Sequence, residues 1–157
     1  MRIALGCDHR GRQAIDELVP VLESGGHLVL EHGGCKGDSQ PCDYPDRAWL
    51  VGNAVRRGEA DRGILVCGTG IGMCMAANKV PGVRAALALD ELSARLSRSH
   101  NDANVLCMSA DMLGQTLLHR IVETWMDSPF DGGRHIRRVA KIHEIEVDVD
   151  PAGSTSV

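Results

Sequence analysis

The segment Cys67-Gly68-Thr69-Gly70-Ile71-Gly72 sets a thiol directly before three alternate glycines. Glycines at that spacing let a backbone approach a ligand closely and admit positive φ. A helix starting there presents free N–H groups, so the turn makes an anion site for a phosphate, a carboxylate or an enolate oxygen. A helix N-terminus also lowers a thiol pKa, to roughly 3.5–7.5 in favourable cases. Cys67 can then act as a thiolate base or nucleophile. The plainer alternative is a tight strand-to-helix turn whose glycines serve packing, with Cys67 as a small core residue. Two known phosphate loops are excluded. A Walker A loop needs Gly-Lys-Ser/Thr after its second glycine, and the dinucleotide fingerprint needs a third glycine at position 73, where Met73 stands.

Three other segments carry groups that move protons or hold anions. Asp8-His9-Arg10-Gly11 follows an apolar run, so a carboxylate and an imidazole would face one cleft; the alternative is an N-cap by Asp8 and a surface His9. His100-Asn101-Asp102-Ala103-Asn104 supplies a second imidazole, the usual acid or base near neutral pH, or else helix capping by Asn101 or Asp102. Arg134, Arg138 and Lys141 recur at i, i+4 and i+7, opposite Ile136, Val139 and Ala140. Such a row suits a phosphate, or else forms a solvated face. Cys35 and Cys42 lie near His32, but their spacing fits no common zinc pattern, so no metal is expected.

These segments need a frame. Apolar runs at residues 3–7, 27–31, 63–67, 83–89 and 105–109 read as strands. Amphipathic stretches at 13–22, 46–57, 70–78, from the N-cap Asp90 to 99, 112–127 and 134–146 read as helices. Residues 33–45 read as a loop. The strands are continuous apolar runs, as when helices cover both faces of a sheet. Right-handed crossovers then predict an α/β fold: a three-layer α/β/α sandwich with a five-stranded parallel sheet, Rossmann-like. Residues 1–147 read as a single domain and 148–157 as a frayed tail. In such sheets ligands bind at the carboxyl ends of the strands, so functional residues should cluster just after residues 7, 67, 89 and 107.

Composition narrows the function classes. The chain has 157 residues, enough for one domain with a real core, and 43% apolar with 24% charged residues argues against disorder. Aromatics are 3% and the net charge is −4, so neither stacking on single-stranded nucleic acid nor polyanion attraction is expected. No apolar run reaches the ~18 residues of a membrane span. The charged Asp8-His9-Arg10 so near the start does not suit a signal peptide. Six cysteines without a C-x-x-C pair then read as reduced thiols of a cytoplasmic protein. Cys7, Cys67 and Cys107 end apolar runs, where their side chains could reach a cleft.

Taken together, the chain resembles the ribose-5-phosphate isomerase B and galactose-6-phosphate isomerase family over roughly residues 2–146. The residues that carry the likeness are Gly6-Cys7-Asp8-His9, Asp43-Tyr44-Pro45, the turn from Cys67 through Gly72, Ala77-Asn78-Lys79 with Arg84-Ala85, His100-Asn101-Asp102 with Asn104, and Gly132-Gly133-Arg134-His135 with Arg138. Each is weak alone; their order and spacing together are specific.

The resemblance implies a homodimer, or a dimer of dimers, that interconverts an aldose phosphate and a ketose phosphate with no metal or organic cofactor. It implies Cys67 as the base and His100 as the ring-opening acid/base, with Thr69 or Asp8 as helper. Backbone amides of Gly68, Gly70, Ile71 and Gly72 would receive the enediolate. Asp8, His9 and Asn101 match substrate contacts. Arg134 and Arg138 match a phosphate-binding pair that reaches the site from the second subunit. The chemistry agrees: moving a proton between carbons 1 and 2 needs a base poised near neutral pH and stabilised negative charge.

One departure bears on the substrate. Family members commonly carry an arginine in the turn after the fifth strand, whereas here that turn reads Met108-Ser109-Ala110-Asp111. Asp111 would either point into the cleft and oppose phosphate, or N-cap a helix beginning near Met112. Ribose 5-phosphate is the expected substrate. The alternatives are galactose 6-phosphate, allose 6-phosphate or a tetrose phosphate, or a non-catalytic sugar-phosphate sensor. A sensor would need none of Cys67, Thr69 and His100.

Overall fold

A computed structural model of the chain describes residues 1–31 and 42–153. Within them β1 (Arg2–Cys7), β2 (Leu28–Glu31), β3 (Arg62–Cys67), β4 (Ala85–Leu87) and β5 (Val105–Ser109) form one parallel sheet in the order β2-β1-β3-β5-β4. The helices are α1 (Arg12–Ser24), α2 (Tyr44–Arg56), α3 (Ile71–Ala77), α4 (Glu91–Asn101), α5 (Gln115–Asp127) and α6 (Arg134–Glu146). This is the predicted three-layer, Rossmann-like α/β/α sandwich.

The period-two alternation of the strands divides the core cleanly. Ile3, Leu5 and Cys7 of β1, Ile64 and Val66 of β3, and Leu106 and Met108 of β5 face α1, α4 and α5. Ala4, Leu65, Cys67, Val105 and Cys107 face α2 and α3. Trp125 of α5 is fully buried in the first layer. Each full burial of an Ile or Leu side chain contributes about 1.5–3 kcal/mol, so both faces must be covered, and apolar runs rather than alternating ones result. Helix α6 lies outside this sandwich, packs against α4, and buries only His135.

Several boundaries differ from the sequence pattern for local reasons. Helix α2 begins at Tyr44 rather than at residue 46, because Pro45 fits the first turn of a helix. Helix α5 begins at Gln115 rather than at Met112, after an extended Gly114. Asp111 therefore does not cap it. Residues 109–112 are instead tied to the turn after β3: Ala110 and Asp111 N–H donate to the carbonyls of Cys67 and Gly68, at 2.9 and 3.0 Å. Strand β4 is only Ala85–Leu87, since Leu89 and Asp90 already belong to the Asp90–Ser93 capping box of α4.

The loop expected at 33–45 and the Cys35–His32 cluster lie largely outside the described residues. Cys42 is disulfide-bonded, which corrects the expectation that every cysteine is a reduced thiol; Cys7, Cys67, Cys74 and Cys107 are free. Composition carries no information on which thiols the fold brings within bonding distance. In the tail, Val149 N–H donates to the Glu144 carbonyl at 2.8 Å, and Lys141 Nζ donates to the Pro151 carbonyl. Residues 154–157 lie outside the described residues. Among the described residues no helix is long and apolar enough to cross a membrane.

Candidate active site

Strand order places a switch point between β1 and β3, and the helices that follow them, α1 and α3, leave on opposite faces. The crevice at the carboxyl ends of such strands is where ligands bind. Asp8, His9 and the turn of residues 67–72 meet there: Asp8 N–H donates to the Val66 carbonyl at 3.3 Å. Gly11 seals the join, for a Cβ on it would stand 2.3 Å from the Val66 oxygen.

The turn after β3 is held from several sides. Cys67 is 4% exposed, and its Sγ accepts the Gly70 N–H at 3.1 Å. Thr69 is exposed, and its Oγ1 accepts the Ile71 N–H at 3.3 Å. Ser109 Oγ donates to the Gly68 carbonyl at 2.6 Å and accepts the Met112 N–H at 3.0 Å. Among the three glycines only Gly70 has positive φ, +74°, and a Cβ there would stand 2.6 Å from Leu87 Cδ1 and 2.9 Å from the Met108 backbone. Gly70 thus serves packing as well as the turn. Gly68 is crowded by the Arg10 and Asp111 side chains and Gly72 by the Tyr44 ring. The first intrahelical bond of α3 is Cys74 N–H to the Gly70 carbonyl, so the N–H groups of Gly72 and Met73 precede it.

The two groups after β1 behave differently. His9 is exposed. Asp8 is buried, and its Oδ1 accepts the N–H groups of Arg10 at 2.9 Å and Gly11 at 3.2 Å. One carboxylate oxygen therefore shapes the loop, while helix α1 has no side-chain cap of its own.

The neighbouring thiols differ sharply. Burial pushes the Cys7 thiol up to about 11 and that of Cys107 well above its ordinary range, and neither is exposed. They therefore stay inert, although their strand-end positions suggested reach into a cleft. Cys74 on α3, which sequence reasoning passed over, is lowered to about 7, chiefly by a hydrogen bond with Cys107 against the opposing effect of burial.

The remaining candidates lie at the other edge of the sheet. Helix α4 runs back from the carboxyl end of β4, so His100 and Asn101 in its last turn stand near the amino ends of β3 and β5. Arg98, two residues before His100, has its guanidinium 5.8 Å from the Trp125 ring centre; Arg62, which opens β3, is 5.1 Å from the same ring. Asp102 is the left-handed C-cap of α4, its carboxylate held by Arg84 at 2.9 Å and Arg98 at 2.8 Å, so its part is structural. The half-buried His100 ring stacks on His135 of α6, centroids 4.3 Å apart and planes 7° from parallel. Burial, and then the positive neighbours His100, Arg134 and Arg138, hold the His135 imidazole below its ordinary range, with Asp131 opposing. Arg134 and Arg138 project from this helix, both exposed. Lys141 turns away to Pro151.

The twelve predicted residues thus fall into two groups. Cys67, Gly68, Thr69, Gly70, Ile71, Gly72, Asp8 and His9 share the carboxyl edge; His100, Asn101, Arg134 and Arg138 share the amino edge. About five residues of strand, roughly 16 Å, separate them within one chain. Residue type and order alone do not say which cleft His100 faces; the direction of α4 sets it at the edge opposite Cys67 of its own chain. Arg10, Tyr44 and His135 stood in the quoted motifs without a role of their own, because their parts depend on contacts far apart in sequence. Among the described residues no cluster suited to a metal ion occurs.

Comparisons with known proteins bear on this arrangement. A family profile described as Ribose/Galactose Isomerase matches residues 3–142. Ribose-5-phosphate isomerase B of Escherichia coli is 44% identical over 145 residues, 92% of this chain and 96% of that protein. The ribose-5-phosphate isomerase B structure from Clostridium thermocellum superposes with a TM-score of 0.91 at 46% identity, covering 94% of this chain and 99% of that one. A D-erythrulose-4-phosphate isomerase of Pectobacterium atrosepticum is 37% identical over 142 residues, 90% of this chain and 93% of that protein.

Proposed function

The chain belongs to the ribose/galactose isomerase family, and from that membership we propose that it interconverts ribose 5-phosphate and ribulose 5-phosphate through an enediolate. It is an aldose–ketose isomerase of a sugar phosphate. The observation that carries the residue assignment is Cys67, whose sulfur is fixed by the Gly70 N–H at the mouth of the β1–β3 crevice.

Cys67 removes the proton from carbon 2 of the open-chain aldose and returns it to carbon 1, while a second proton passes from the carbon-2 to the carbon-1 oxygen. The backbone amides of residues 68–72 receive the negative charge that develops meanwhile, the kind of preorganised stabilisation that lowers such barriers most. Of these, Gly70 and Ile71 N–H already serve Cys67 Sγ and Thr69 Oγ1, which leaves those of Gly68, Thr69 and Gly72. His100 moves a proton between the ring oxygen and its hydroxyl when the cyclic sugar opens, with Thr69 as helper.

A general acid must lie within hydrogen-bond reach of its substrate. His100 cannot reach a sugar bound at Cys67 of its own chain, and neither can Arg134 or Arg138. The site is therefore composite. One subunit supplies Cys67, the glycine turn, Asp8 and His9; a second supplies His100, Asn101, Arg134 and Arg138. Two-fold symmetry makes two equivalent sites. The exposed apolar residues Ile136, Ile142 and Ile145 of α6 and Leu92 of α4 support a homodimer, since such surface normally seeks a partner. So does a cleft of about 600 Å³ between α6 and the start of β4, lined by Ile142, Ile145, Arg84 and Asn101.

A second reading, isomerisation of a tetrose phosphate, is favoured by the likeness to the D-erythrulose-4-phosphate isomerase. A scan of ribose 5-phosphate, galactose 6-phosphate, allose 6-phosphate and tetrose phosphates for carbon-bound exchange in deuterated water decides between them. Fastest exchange on ribose 5-phosphate is expected; exchange confined to another sugar would replace it, and exchange on none would leave a sensor.

A further inference from the structure

Asp111, where the resemblance leads one to expect an arginine, is not idle. Its carboxylate grips Arg10 from across the crevice: Arg10 Nε lies 3.0 and 2.9 Å from the two oxygens, and Nη2 lies 2.7 Å from Oδ1. The pair rests on the glycine turn, where a Cβ on Gly68 would meet Asp111 Oδ2 at 2.9 Å and Arg10 Cδ at 3.1 Å.

Both ends of the Arg10 side chain are fixed. At its root the Arg10 N–H is bound by Asp8 at 2.9 Å, and at its head Asp111 is itself tied to the Gly68 carbonyl at 3.0 Å. A half-exposed ion pair of this kind adds little to stability, roughly 0–1 kcal/mol, so its consequence lies in where it holds the guanidinium. Of the five guanidinium N–H groups, those on Nη1 make no hydrogen bond among the described residues. The side chain is 55% exposed beside His9. A lone Asp111 in this crevice would repel an anion. Paired with Arg10, its charge is neutralised and the Nη1 N–H donors remain for an anion, charge-assisted bonds of the kind that hold phosphate.

We propose that Arg10 binds the substrate phosphate and that Asp111 is its positioning residue. The guanidinium that the resemblance leads one to expect on the turn after β5 is delivered here from the loop after β1. This rests on the reading of the chain as a sugar-phosphate isomerase. It deepens that reading by naming a specificity-determining pair, and it removes the reason to expect that Asp111 disfavours ribose 5-phosphate.

The test measures ribose 5-phosphate kinetics and inhibition by inorganic phosphate in Arg10→Gln, in Asp111→Asn and in the exchanged double variant Arg10→Asp/Asp111→Arg. Phosphate binding is also followed directly by the thermal midpoint at increasing inorganic phosphate. Arg10→Gln should raise KM and the phosphate inhibition constant together by about ten-fold or more, the effect of one charge-assisted hydrogen bond, with kcat changed less than about three-fold. Asp111→Asn should raise KM less, since it loosens Arg10 without removing it. The exchanged variant should recover most of the loss, because the guanidinium returns to the same crevice from the other strand. An unchanged KM and inhibition constant in Arg10→Gln would overturn the proposal, as would a loss confined to kcat. Should any single variant fold poorly, the exchanged pair still decides: a folded exchange variant without recovery overturns it. If the wild type turned over no sugar phosphate the isomerase reading would fall, while loss of phosphate-dependent stabilisation in Arg10→Gln would still support Arg10 as the anion site.

Discussion

The turn after β3 and the α4–α6 pair carry the two halves of one proposed reaction, and they are built in opposite ways. The turn is bound through its backbone to β5, closed by a glycine with left-handed geometry, and buried at Cys67. Helix α6 is held to α4 by a histidine stack, leaves its isoleucines in solvent and buries only one residue. A base that must meet two adjacent carbon atoms tolerates little motion, since a displacement of about 1 Å can cost 10²-fold. Such a group belongs on a frame fixed within its own chain. Groups that act on a neighbouring subunit are positioned by docking, so their own chain leaves them exposed with unsatisfied apolar surface around them.

Removing the base should break the comparison most deeply. Cys67→Ala is expected to lower kcat at least ~10²-fold while substrate still binds, as measured by steady-state kinetics and direct titration. Near-normal turnover would mean that the rigid half carries no chemistry. Iodoacetamide should inactivate the enzyme, with substrate protecting. Because the Cys74 thiol is lowered to about 7, the labelling should be repeated in Cys74→Ser, where inactivation is expected to persist.

Next comes the composite nature of the site. His100→Asn should impair ring opening, so an acyclic substrate analogue should be turned over comparatively well. Cys67→Ala and His100→Asn proteins, each nearly inactive, should regain about a quarter of wild-type activity when mixed at equal concentrations with subunit exchange. Half of the dimers are then mixed, and each has one intact site. The same recovery is expected with Arg134→Ala/Arg138→Ala in place of His100→Asn. No recovery despite proven exchange would place all four residues at their own chain's site.

Glycine replacements sharpen the contrast in rigidity. Gly70→Ala should cost on the order of 3 kcal/mol, from left-handed strain together with overpacking against Leu87 and the Met108 backbone. Gly58→Ala, with φ of +68° but open space around it, should cost only the strain, about 1–2 kcal/mol. Denaturant titration compares the two; equal losses would mean that crowding at the turn is not what fixes it.

The smallest effect concerns pH. His135 has a folded pKa below its ordinary value, so the unfolded chain takes up the proton first as pH falls through about 6.5. The unfolded state then binds more protons, and stability from this residue is lost on acidification. Thermal midpoints from pH 7 to pH 5 should fall by a few degrees at most in the wild type and less in His135→Gln.

Much of this was legible in the residues alone. Apolar runs fixed which segments became strands, because a sheet covered on both faces admits few polar side chains. Glycine spacing beside Cys67 marked the turn, because only glycine meets its steric demands. The segments Asp8-His9, His100-Asn101 and Arg134-Arg138 were recognisable as chemistry-bearing from residue type and order. Only the tertiary structure decided which of them share a cleft. That depends on the direction in which α4 crosses the sheet, which sends His100 to the edge opposite Cys67. It also decided that Asp111 holds Arg10, a pair 101 positions apart in the chain. Local sequence records the preferences of neighbouring residues, whereas such a contact exists only once β1, β3 and β5 have been laid side by side.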